Sequence, residues 1–329
     1  MTPLTSWQDS LTRGAIERIL CPLDFSDASR HAIEYAVAIA RWSGAAVSAL
    51  HVCRPMVVSA LTGAGPGDRD ADGDLVRLRA AAASLVAAAG ARDLQVDVLV
   101  EAGDPARQIL EHAQRHAASL IVMSTHGTTG FERWLLGSVT EKVLRKARCP
   151  VLTVPPRADG AAALPFRQVL CAIDFSYASL AALNDAVVLA QESRATLVLL
   201  HVVQWPWEEP PAPTPQDMPP AQAAALAEYR RYVEAIALAR LAALRRERIP
   251  DGVDAVPRVV HGKPYVQILR VAAETGADLI VMGVHGRNAA ELMIFGSTAN
   301  QVVRAATCPV MTSRLQPHSY ESPETGSVT

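Results

Sequence analysis

The sequence predicts an α/β protein built twice, with parallel sheets covered by helices on both faces. Three observations carry this reading. Strand-like apolar runs alternate with segments of helical periodicity, the alternation recurs once along the chain, and in each copy a glycine-bearing loop follows the fourth strand pattern. Parallel strands cannot be joined by tight turns, so each return needs a crossover, and strand–helix alternation is its mark in sequence.

The bulk properties set the frame. A chain of 329 residues suggests two domains at roughly 150 residues each. Half of the residues are apolar and 19% are charged, with a mean hydropathy of +0.15, which suffices for packed cores. The longest apolar runs, such as Ala80 to Val86 and Leu197 to Val203, fall short of the roughly 20 residues that cross a bilayer. Met1 to Glu17 lacks a positive region followed by an apolar core, so no secretory signal is expected. A net charge of −2 and a pI near 6.5 make no electrostatic case for nucleic acid or an anionic membrane. The five cysteines are odd in number and form no CxxC, a pattern of buried thiols in a reducing cytoplasm.

The repeat is explicit. Ile19-Leu20-Cys21-Pro22-Leu23-Asp24 has its counterpart in Val169-Leu170-Cys171-Ala172-Ile173-Asp174, and Phe-Ser follows the aspartate in both. The offset of 150 also pairs His51-Val52 with His201-Val202. Farther on, Gly103 pairs with Gly262, Gly127 with Gly286, Gly137 with Gly296 and Cys149-Pro150 with Cys308-Pro309, all at 159. Nine extra residues therefore lie in the second copy between Val203 and Gly262. Solenoid units are roughly 20 to 50 residues, so this period means duplicated domains. The expected organisation is a flexible tail over 1–15, a first domain over 16–155, a linker over 156–166, a second domain over 167–314 and a disordered tail over 315–329.

In the first copy, Ser26 to Trp42 places Ile33, Ala36, Val37 and Ala40 at helical spacing, with Gly44 as a left-handed stop. Val47 to Val52 is the second strand. A turn-rich loop over Gly63 to Asp74 leads into an alanine-rich helix, Leu75 to Ala89, and Leu94 to Val100 is the third strand. Asp104 as N-cap and Pro105 at the first helical position open the next helix. Leu120 to Met123 is the fourth strand, and Ser138-Val139-Thr140-Glu141 reads as a capping box starting the fourth helix at that serine. Val151 to Val154 is the last strand. The second copy repeats the order except at Gln204 to Pro220, whose seven prolines exclude regular structure. Trp205 and Trp207 in that loop are expected to pack over their own domain or to serve a partner or lid.

The chemistry gathers at the glycine loops. Met282-Gly283-Val284-His285-Gly286 leads through nine residues to Gly296-Ser297, where a helix begins. Glycine allows φ > 0 or close approach to a ligand, and the first N–H groups of a helix attract phosphate. The alternative is that the glycines only permit a tight connection. There is no GK[ST] and no GxGxxG after the first strand, which disfavours Walker and dinucleotide sites. Asp174 either accepts hydrogen bonds from a ribose hydroxyl or base amine, or opens a turn and caps the next helix. Ligands of open parallel sheets sit at the strands' carboxyl ends where the strand order reverses. Asp174 and the glycine loop share such a crevice if strands one and four are neighbours.

The order of elements, the aspartate after strand one, the G-x-x-G-x9-G-[ST] loop and the Cys-Pro-Val start of strand five resemble the universal stress protein family in a tandem form, over about residues 16 to 314. The resemblance implies two flavodoxin-like (Rossmann-like) domains, each a five-stranded parallel sheet of order 3-2-1-4-5 with helices on both faces. It also implies a pseudo-dimer of the two domains through their last strands, with a homodimer of chains as a further option, and a division between members that bind ATP and members that do not. Carried over by position, Ala172, Asp174 and Val202, with Met282 beside them, would hold adenine and ribose. Gly283, Gly286, Gly296, Ser297 and Thr298 would hold the phosphates, with Arg287 as a countercharge and magnesium as their companion. The first copy supplies Asp24, Val52, Met123, Gly127, Gly137, Ser138 and Val139. It departs from the pattern at Ser124, where the motif has its first glycine. A β-carbon and hydroxyl would intrude on a phosphate or ribose, and φ > 0 would cost serine roughly 1 to 2 kcal/mol. The second domain is therefore expected to be the better ATP site.

The function expected is a cytoplasmic ATP-dependent stress-response or signalling module acting by occupancy. Two others stay open: an enzyme with slow ATP hydrolysis or autophosphorylation at Ser138 or Ser297, and a scaffold without nucleotide. The cradle shows no evident general base, and no Ser/His/Asp, Cys/His or twin-carboxylate arrangement emerges. His112 and His116 have a zinc-compatible spacing but no third ligand, so an exposed helix face is expected. His51 and His201 recur at strand ends, and His126 and His285 recur in the loops, where they are expected to orient backbone.

Overall fold

The computed structural model describes residues 16–53, 71–126, 136–156, 158, 164–204, 219–285 and 295–314. In the first half, β1 (Arg18–Leu23), β2 (Ala46–Cys53), β3 (Val96–Ala102), β4 (Leu120–Ser124) and β5 (Val151–Val154) alternate with α1 (Asp27–Ser43), α2 (Ala71–Ala88), α3 (Pro105–Arg115) and α4 (Ser138–Lys146). The second half repeats this with β6 (Gln168–Ala172), β7 (Thr196–Val203), β8 (Ala255–His261), β9 (Leu279–Gly283) and β10 (Val310–Ser313), and with α5 (Tyr177–Ser193), α6 (Pro220–Arg248), α7 (Pro264–Thr275) and α8 (Ser297–Ala305).

Local chemistry sets most boundaries. Ser26 Oγ accepts from the Ser29 N–H at 3.1 Å at the start of α1, and Gly44 ends that helix at φ 74. Asp104 accepts from the Arg107 N–H ahead of α3. Three expected boundaries move. α2 begins at Ala71, inside the expected loop, and a 3-10 turn over Ala91–Asp93 delays the third strand to Val96. The capping box does not form. The N-cap of α4 is Gly137, so Ser138 is already the first helical residue. The cause is tertiary: the Gly137 N–H is held by the Thr125 carbonyl at 2.9 Å, while its own carbonyl receives the Glu141 N–H.

Within each half the strand order is 3-2-1-4-5 and the pairing parallel, but two separate five-stranded sheets do not exist. The ten strands form one sheet, β3-β2-β1-β4-β5-β10-β9-β6-β7-β8. β5 and β10 meet antiparallel, with Val310 opposite Thr153, Met311 opposite Leu152 and Thr312 opposite Val151. Alone, each would be an apolar edge with a row of unpaired backbone groups, a template for uncontrolled association. Buried Thr153 adds a hydrogen bond from its hydroxyl to the Val310 carbonyl at 3.0 Å. One apolar layer unites α1, α2, α5 and α6 on one face, and a second unites α3, α4, α7 and α8 on the other. Cys21, Cys53, Cys149 and Cys171 are free and buried, and Cys308 is free and partly buried.

Near the seam stands a partly buried acid. Asp185 on α5, which packs on β10, stands at the repeat position of Tyr35 on α1. Burial pushes its carboxyl from 3.8 up to about 6, with the Ser313 hydroxyl opposing. Below pH 3.8 the carboxyl is protonated in folded and unfolded chains alike. Between that pH and about 6 the unfolded chain ionises first, so stability falls as pH rises, by at most about 3 kcal/mol and less where residual exposure screens the charge. Asp185→Asn should therefore raise stability to urea at pH 7.5 by about 1 to 3 kcal/mol, with the gain shrinking toward pH 4. A gain independent of pH would contradict this account.

Candidate nucleotide site

Each half builds the same device where its first strand ends. Phe25 and Phe175 take left-handed conformations, φ 62 and 63, uncommon for bulky residues. The preceding aspartate holds the turn. Asp24 Oδ1 accepts from the Ser26 N–H at 3.0 Å and the Ser26 hydroxyl at 2.5 Å, and Asp174 Oδ1 accepts from Ser176 at the same distances. The turn-and-cap role is thus present in both copies. It is compatible with a ligand role, because a carboxylate has about four acceptor sites.

The recurring histidines close the neighbouring strand onto this turn. His51 Nδ1 donates to the Leu23 carbonyl at 2.8 Å and His201 Nδ1 to the Ile173 carbonyl at 2.7 Å. Their rings lie 4.3 Å from Phe25 and 4.7 Å from Phe175. The phenylalanines were not singled out from sequence; their recurrence after each aspartate was the available signal.

Strands one and four are neighbours in both halves, which brings the sequence-predicted residues together. Ala172 is level with Met282 on one side and Leu200 on the other, with Asp174 and Val202 just beyond. Ala172, Val202 and Met282 belong to the layer of α7 and α8. Gly296 ties the start of α8 to this end of the sheet by donating to the Val284 carbonyl at 2.9 Å, which places Ser297 and Thr298 in the first turn of the helix. Asp24, Val52, Met123, Gly137, Ser138 and Val139 are arranged alike in the first half. Gly127, Gly286 and Arg287 lie outside the described residues, as do Trp205 and Trp207.

The glycines also have a packing reason. Gly283 does not adopt positive φ. A β-carbon there would lie 2.8 Å from the Ala178 carbonyl carbon and 2.9 Å from the Ser179 nitrogen, so the absence of a side chain admits the first turn of α5. Gly296 likewise admits the Val284 carbonyl, 2.9 Å from a β-carbon built there. Ser124 therefore neither strains its backbone by positive φ nor needs a phosphate to explain its effect. Its hydroxyl donates to the His126 carbonyl at 2.6 Å, and the Thr140 hydroxyl donates to the Ser124 carbonyl at 3.0 Å. The first loop is tied to itself in a way that the second, with Ala299 at the position of Thr140, does not repeat.

Two histidines depart from expectation or refine it. His112 is 3% exposed, not part of an exposed face, because α3 turns it inward toward Glu101, 3.5 Å away. Its ring stacks on His116 at 4.1 Å, an arrangement that does not converge on a metal. Burial, then the neighbouring His116 charge, hold its pKa down. Burial also lowers that of His126, whose Nδ1 lies 2.9 Å from the Thr125 hydroxyl. Among the described residues no group of three or more His, Cys, Asp or Glu could hold a metal ion, and no helix is long and apolar enough to cross a membrane.

A model of the universal stress protein family matches residues 15–155 and again residues 165–314. The chain belongs to this family. A universal stress protein of Mycolicibacterium smegmatis (strain ATCC 700084 / mc(2)155) is 31% identical over 306 residues, 90% of this chain and 96% of that one. A universal stress protein of Methanocaldococcus jannaschii is 38% identical over 141 residues, 42% of this chain and 81% of its own. The solved universal stress protein of Archaeoglobus fulgidus DSM 4304 has a TM-score of 0.61 at 24% identity, covering 90% of this chain and 98% of its own. It shares the fold.

The packing account of Gly283 is open to a direct check. Gly283→Ser should destabilise the protein by about 1 to 3 kcal/mol through overpacking against α5, measured by urea denaturation. Ser124→Gly, which opens space, should not show the same loss of packing; equal losses in both variants would refute it.

Proposed function

We propose that this universal stress protein is a cytoplasmic nucleotide-dependent module that binds ATP in the crevice at the carboxyl ends of β6, β7 and β9, and acts by occupancy. The observation that carries the reading is the meeting of two devices at one switch point. β6 continues to β7 on one side and is flanked by β9 on the other, the position where open parallel sheets bind ligands. The Asp174 turn and the start of α8 meet there. Orphan N–H groups of a helix start favour phosphate, and Asp174 suits ribose hydroxyls. Ala172, Val202 and Met282 offer an apolar floor for adenine; Gly283, Gly296, Ser297 and Thr298 serve the phosphates, and magnesium accompanies them.

On this reading residues 16–155 and 167–314 are two domains with one crevice each, and the second is the better ATP site. The asymmetry follows from Ser124, whose hydroxyl, with that of Thr140, ties the first loop to itself, where Gly283 and Ala299 carry no hydroxyl to do so.

The test is to denature the purified protein and identify what is released by mass spectrometry. ATP near one per chain is expected. Ser297→Glu should abolish the recovery, since an acid at a helix start is compatible with the helix but repels phosphate; Ser138→Glu should leave it. Equal effects of the two variants would overturn the asymmetry. No nucleotide released and no heat on titration with ATP would overturn the reading itself.

A further inference from the structure

α6 is where the halves differ most, 29 residues against 18 in α2. Where it passes the end of β7 it leaves a cleft of about 450 Å³ between Phe175, His201 and Gln204 on one side and Val233, Ile236 and Arg240 on the other, within the size range of small-molecule sites. The cleft opens on the face of α5 and α6, opposite the layer that holds Ala172 and Met282. Of the residues assigned to the nucleotide crevice it touches Val202 alone.

Its lining is mixed, with apolar side chains such as Val233 and Ile236 beside polar ones and the guanidinium of Arg240. The Arg240 guanidinium carbon sits 3.8 Å from the centre of the Phe175 ring, a stacking that fixes the orientation of the group while leaving its charge to be matched. Among the described residues no carboxylate forms an ion pair with it; the nearest acid in sequence on α6, Glu234, faces His261 at 4.0 Å. Ile236 stays 41% exposed. The ring platform is common to both halves, since Phe25 and His51 repeat the Phe175–His201 contact. The cation is not. Arg240 precedes the buried Leu241 as Ala81 precedes the buried Ala82, so the first half carries alanine at that place.

We propose that this cleft is a second ligand site, separate from the nucleotide crevice, for a small amphiphilic carboxylate. The carboxylate lies on Arg240, which can receive it in a bidentate pair, and its apolar body packs against Val233, Ile236 and Phe175. A guanidinium already stacked on a ring loses little freedom on pairing, so the site is preorganised for an anion and closed to a cation.

The test is calorimetric titration of the full chain with octanoate, octanol and octylammonium. Octanoate should bind about once per chain and at least tenfold more tightly than octylammonium, with octanol between them. Arg240→Ala, a surface change that leaves the fold intact by circular dichroism, should weaken octanoate at least tenfold and remove the preference over octylammonium. Saturating ATP should not displace octanoate, so this result stands or falls apart from nucleotide binding. Equal affinity for octanoate and octylammonium, an unaffected Arg240→Ala variant, competition by ATP, or no saturable binding of octanoate would each overturn the proposal.

Discussion

The antiparallel pairing of β5 with β10 is the interaction on which the rest of the molecule depends. Strands of each half run parallel among themselves, so one antiparallel contact makes the two halves point in opposite directions within one sheet. Helices of like position then fall on the same face, α1 with α5 and α2 with α6. The carboxyl ends of the two strand sets, and with them the two crevices, lie at opposite ends of the sheet. Each crevice is therefore built from its own half, while the cores that support them are shared. The halves also brace one another outside the sheet: Arg314, just past β10, donates to the Leu144 and Arg145 carbonyls at the end of α4, a favourable place for a cation.

Around each crevice a small set of contacts sets the geometry. A left-handed phenylalanine, an aspartate that holds the turn and a histidine that donates to a carbonyl where the neighbouring strand ends recur with distances equal within about 0.1 Å for the two aspartate contacts and the histidine bond. Such contacts hold backbone where a ligand would meet it. Their persistence in both copies shows that the turn is part of the fold, whether or not a half carries a nucleotide.

Differences between the copies are as informative as the likenesses, because each half is a control for the other. Ser124 replaces Gly283, Thr140 replaces Ala299, Tyr35 replaces Asp185 and Ala81 replaces Arg240. The first two tie one loop upon itself. The third leaves on one side only a carboxyl whose pKa burial raises to about 6. The fourth places a cation over a ring that both halves possess. The scaffold is thus symmetric and its chemistry is not.

The sequence by itself determined the elements, their order and the duplication. Strand and helix patterns, the Asp104 cap and the Gly44 stop rest on residues within a few positions of one another, and local physics suffices to read them. The candidate crevice was legible for the same reason, as an aspartate after one strand and a glycine loop after another, once strand adjacency was granted. Tertiary structure decided the rest. One sheet instead of two follows from pairing between strands some 160 residues apart, and Gly137 displaced Ser138 as the cap because a carbonyl at Thr125 claimed its N–H. His112 turned inward because Glu101 lies on the strand behind it. That Gly283 also makes room for α5 is a tertiary fact, since the conformational freedom of a glycine is visible in a sequence while the neighbour that needs the space is not.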